Sequence, residues 1–100
     1  MKHEHKSGAW FELPEDITQR QLEAYESETR RRLKDKEQET TDALLARAAI
    51  GAAFKAEVIQ RSEGLPQAEK DLDNAPARLL WWMAREIASY IGGIKSLDPN

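Results

Sequence analysis

The chain has no cysteine and only two histidines in 100 residues. Disulfides and cysteine-based metal sites are therefore excluded, and the absence fits a reducing cytoplasm. Long hydrophobic runs are missing as well. The richest stretch, ALLARAAIGAAF at 43–54, is interrupted by Arg47. It falls short of the about 18 apolar residues that a membrane span needs. The opening MKHEHKSGAW has no apolar centre and does not read as a secretory signal. Positive charge is not in excess either. The net charge of −3 argues against a general nucleic-acid binder. No G-x-S-x-G, P-loop, HExxH or EF-hand pattern occurs. The paired glycines, Gly92 and Gly93, follow a helical stretch instead of opening one, so they form no phosphate cradle. His3 and His5 have H-x-H spacing, but two ligands on a loose end make a poor metal site. These absences point to a non-enzymatic, cytoplasmic protein with no cofactor, no metal and no membrane association.

What remains is 40% hydrophobic and 33% charged, enough for one domain with a modest core. Residues 1–9 read as a flexible polar lead. Trp10, Phe11 and Leu13 follow as an apolar patch, and Pro14 disfavours helical geometry at Leu13. An extended arm laid against a helical body is expected there, within a single helical domain at 10–100.

Three helices are predicted, at about 18–36, 42–61 and 75–91. Thr18 and Gln21 form a T-x-x-Q capping box, with Ile17 and Leu22 at the staple positions. The first helix carries a thin apolar line of Leu22, Tyr25 and Leu33. Glu26–Arg30 and Glu28–Arg32 stand at favourable i,i+4 spacing. Thr40 or Thr41 caps the second helix, and Asp42 in its first turn complements the helix dipole. That helix is apolar nearly all round and rich in alanine, which marks it as central. Gly64, Pro66 and Pro76 punctuate the following linker, where a short turn is expected near 67–72. Asn74 is placed to cap the third helix, with Pro76 in its first turn and Gly92–Gly93 as its stop. The expected fold is all-α: a small three-helix bundle with an extended N-terminal arm.

Two surfaces compete for a role. Arg30, Arg31, Arg32 and Lys34 form the one basic cluster. On a helix they fan around the circumference beside acidic neighbours, unlike a phosphate-binding face. The other surface is aromatic. Leu80, Ala84, Ile87, Ala88 and Ile91 make a core stripe, with Trp81 at its border. Trp82 points elsewhere, in line with Glu86 and toward Met83 and Tyr90. Glu86 reads as the polar edge of the helix rather than a general acid. Trp82 either covers the arm or, with Met83 and Tyr90, forms an exposed anchor, since tryptophan and tyrosine favour interfaces and methionine adapts its shape. The candidate partner-binding residues are Trp10, Phe11, Leu13, Trp82, Met83 and Tyr90. The small-residue face of the central helix also points to a homo-oligomer.

The order of segments is itself informative. An entry WFELPEDIT leads into the polar helix RQLEAYESETR, then the alanine-rich helix, then WWMAREIASYI. This layout resembles small helical proteins of phage tail modules, in particular tail assembly chaperones. The resemblance implies a non-enzymatic module in the host cytoplasm that binds an aggregation-prone partner, such as a long helical phage protein. It carries over no catalytic residue. The alternatives are a structural subunit of a phage particle, or a small nucleic-acid-associated regulatory protein using Arg30, Arg31, Arg32 and Lys34.

Overall fold

The computed structural model describes residues 1–34 and 41–96. Its elements run β1 (Lys2–Glu4), β2 (Trp10–Glu12), α1 (Gln19–Leu33), α2 (Asp42–Lys55), β3 (Arg61–Glu63), a 3₁₀ turn (Glu69–Asn74) and α3 (Ala77–Ser96). The protein is mostly helical but not all-α. A three-stranded antiparallel sheet, ordered β1-β2-β3, accompanies the helices. Helix α2 packs against both α1 and α3, and those two contacts are the principal helix–helix ones. The result is a slab of 40 × 34 × 19 Å around α2, and not a bundle in which all three helices pack on one another equally.

The lead expected to be flexible is strand β1. His3 stands opposite Phe11 and Glu4 opposite Trp10, while Phe11 also faces Ser62 of β3. A cross-strand ion pair joins Arg61 to Glu12 at 2.6 Å. The turn into the linker needs Gly64, which has φ +75° and whose Cα lies where an added Cβ would come within 3.2 Å of Ala9 Cβ. Strands of three residues have little stability of their own. Their anchor is the face that β2 turns inward, where Phe11 and the adjoining Leu13 are fully buried.

Both helix starts follow their caps. Thr18 and Gln21 form the complete capping box of α1, and Ile17 and Leu22 both pack against the core. Thr41, not Thr40, caps α2, its hydroxyl accepting from the Leu44 N–H at 3.2 Å. The expected end of α1 at Lys36 lies outside the described residues.

The helix ends differ from expectation. Helix α2 stops at Lys55, short of Arg61. The Val58 N–H reaches the Ala53 carbonyl and the Glu57 N–H reaches the Phe54 carbonyl, at 2.9 and 3.1 Å. This is a Schellman closure, with Glu57 at φ +58° where glycine is usual. No glycine advertises the stop. A left-handed non-glycine residue costs roughly 1–2 kcal/mol. The Glu57 carbonyl is held by the Gln21 side chain at 3.0 Å, and Val58 is fully buried beyond it. Glu57→Gly is expected to raise stability by about 1 kcal/mol, read as a higher denaturant midpoint. An unchanged or lower midpoint would contradict the strain.

Helix α3 runs straight through Gly92 and Gly93 to Ser96 instead of stopping there. Glycine permits a left-handed cap but does not impose one, and Ile94 beyond the pair packs against the core. Asn74 closes the 3₁₀ turn instead of capping α3. That turn runs back along α2. Glu69 lies over Gly51 and bonds Arg32, while Asp73 pairs with Arg47 one turn earlier on α2. Gly51 makes room for this crossing, because an added Cβ would sit 2.7 Å from Glu69 Oε2 and 2.8 Å from Arg32 Nη1. Among the described residues, no helix is long and apolar enough to cross a membrane.

Candidate functional site

The adjacent tryptophans settle which face of α3 is open. Its buried positions are Met83, Ala84, Ile87, Tyr90 and Ile91, so the core stripe is rotated by about one residue from the one read off the sequence. The sheet causes the rotation. It occupies the side where the helical wheel alone showed solvent. Trp82 meets Phe11 edge-on at 5.4 Å between centroids and His5 at 5.1 Å. The arm therefore covers Trp82. Trp81, placed at the border of the core by the wheel, is instead 47% exposed.

Most of the residues proposed as partner anchors lie inside. Phe11, Leu13 and Met83 have no exposed surface, and Tyr90 has 8%. Trp10 and Trp82 are half-buried. Trp10 lies under the Lys2 ammonium, 4.5 Å from the ring centroid. The Tyr90 hydroxyl donates to the Pro14 carbonyl, tying α3 to the end of the arm. Burial pushes the Tyr90 phenol above its ordinary range, and the charge of Asp16 adds to the effect. Burial also raises the Tyr25 phenol. Folded tyrosines with raised values keep their protons when the unfolded chain loses them, so stability falls as pH rises past ~10. Tyr90→Phe removes one such group. Its midpoint in urea is expected to decline less steeply above pH ~10 than that of the wild type. Parallel curves would mean that Tyr90 does not carry the effect.

The basic cluster is only partly available. Arg31 bonds Glu28 at 2.6 Å. Arg32 approaches the same carboxylate at 3.4 Å and forms a two-pronged pair with Glu69. Arg32 thus braces α1 to the 3₁₀ turn across α2. Arg30 and Lys34 are exposed. A phosphate-binding face would have to draw on cations already engaged with carboxylates.

His3 and Glu86 come together although 83 residues apart. The His3 Nδ1 lies 2.9 Å from Glu86 Oε1. The imidazole stacks on Phe11 at 5.2 Å and meets the edge of Tyr90. A cleft of about 330 Å³ opens beside the pair, lined also by Met1, Glu15, Ser89 and Tyr90. An activated nucleophile would need a hydroxyl bonded to the imidazole. Ser89 shares the cleft, but His3 bonds Glu86 and its Nε2 is buried without a partner. The contact works as a pin between β1 and α3. No local pattern in the sequence signals it. Among the described residues, no group of three or more His, Asp or Glu could hold a metal ion.

The open site is a groove of about 490 Å³ between α2 and α3. Ala46, Ala49, Ala84 and Ala88 line it together with Leu45 and Trp81, and Asp42 and Arg85 complete it. Leu45 is 45% exposed, and among the described residues only Met1, Leu45 and Trp81 are large apolar side chains left in solvent. Two of the three therefore meet in one depression. The alanines keep it open, because no longer side chain on either helix fills it. Sequence reasoning identified the small-residue face of α2 but missed Leu45 and placed Trp81 at the border of the core. Family models, curated proteins and solved structures yield no match to this chain.

Proposed function

We propose that this chain is a protein-interaction module that acts through the α2–α3 groove, without chemistry of its own. The observation that carries the reading is the convergence of Leu45 and Trp81 on one apolar depression. Leaving two such side chains about half in water forgoes roughly 1 kcal/mol each of burial, and exposed tryptophan is a favoured interface anchor. The anchors are therefore Leu45 and Trp81, in place of the inward-facing Phe11, Leu13, Met83 and Tyr90. The tail-chaperone reading belongs to the same class. In it, the groove receives the apolar face of a helix from a long helical partner.

A photo-crosslinking amino acid at position 81 tests the reading in cells that make the protein. A control on the opposite helix, at exposed Arg20, reports random encounters. The expected result is a discrete adduct from position 81, absent from position 20, whose yield drops when Leu45 is changed to Glu. Equal labelling from both positions, or none, overturns the reading.

A further inference from the structure

Resting on that reading, we infer that the occupant of the α2–α3 groove is a second copy of this chain, docked about a two-fold axis with Asp42 of each copy facing Arg85 of the other. Two features of the groove support a self-complementary contact. Its large side chains, Leu45 and Trp81, stand beside alanines on the same two helices. A two-fold axis places the Leu45 and Trp81 of one copy over the alanine-lined hollow of the other, as an isologous contact requires. The groove also carries one charge of each sign, Asp42 and Arg85, both exposed.

Asp42 sits in the first turn of α2, where the helix dipole favours it, but among the described residues its carboxylate has no cation beside it. Elsewhere on the helices, Arg47 of α2 is paired with Asp73, and the α1 arginines Arg31 and Arg32 are paired with Glu28 and Glu69. Among the described residues, Asp42 and Arg85 form no ion pair. A two-fold contact makes the Asp42–Arg85 pair twice, once at each end of the apolar centre. A partner with a single anchoring helix would meet these two charges only once. Opposite charges at the rim of an apolar patch fix the register of the dimer and disfavour other partners.

Charge exchange tests this directly, read by sedimentation over a concentration series with folding checked by circular dichroism. Wild type is expected to dimerise. Asp42→Arg brings like cations together in a homodimer, and Arg85→Asp brings like anions together. Each alone should weaken the dimer by about tenfold or more. Mixing the two variants pairs Arg at 42 with Asp at 85, and Arg85 with Asp42, so association should return as a heterodimer. That rescue cannot come from a misfolded variant. A monomeric wild type, a dimer indifferent to both changes, or a mixture that stays monomeric overturns the inference. If position 81 still crosslinks a different protein in cells while the wild type is monomeric, self-pairing fails and the interaction-module reading stands. A monomer that crosslinks nothing ends both.

Discussion

Phe11→Ala is expected to remove about 3–5 kcal/mol of folding stability, among the largest losses available to any single change in this chain. The ring has no exposed surface, lies on the central strand β2, stacks on His3 and meets Trp82 edge-on. Removing it leaves a cavity at the point where sheet and α3 meet, and the three-residue strands have little else to hold them. Domains of this size are stabilised by only about 5–15 kcal/mol, so the variant should unfold at a much lower denaturant concentration. The outcome also separates two roles for the arm. An interface anchor would be lost with little change in stability, whereas a core ring would not. A loss below about 1 kcal/mol would return Phe11 to the surface.

The second large effect is a contrast between neighbours. Trp82→Ala is expected to cost about 2–4 kcal/mol, below the full range for a buried ring because Trp82 is half-buried. Trp81→Ala, in dilute solution, should stay within about 0.5 kcal/mol of wild type. One ring covers Phe11 and His5, while the other stands in solvent at the groove. Adjacent positions on a helix point about 100° apart, so the two rings serve two surfaces. Equal losses from the two variants would contradict the face assigned to α3. If the chain pairs through the groove as inferred above, Trp81→Ala should instead lower the midpoint at high concentration, because association stabilises the folded state by mass action.

The sequence by itself determined the features that depend on residues within a turn or two. The Thr18–Gln21 box and the Thr41 cap start helices where they were expected, because a cap satisfies backbone N–H groups three residues away. The alanine-rich run makes α2 the central helix, because it presents apolar surface on most of its sides to neighbours. The apolar arm packs against the body as read, through Phe11 and Leu13.

Tertiary structure decided the rest. The sheet escaped notice because three residues are too few to show a period of two, and its strands come from positions 2–4, 10–12 and 61–63. The end of α2 was silent because its left-handed residue is Glu57 rather than glycine. The glycines of α3 spoke for a stop that packing of Ile94 overrides. The site depended most on long-range placement. A helical wheel orders residues around an axis but carries no mark of where neighbours stand. Only the arrival of the sheet against Trp82 turned Trp81 outward beside Leu45, and only then did α2 and α3 leave an open groove between them.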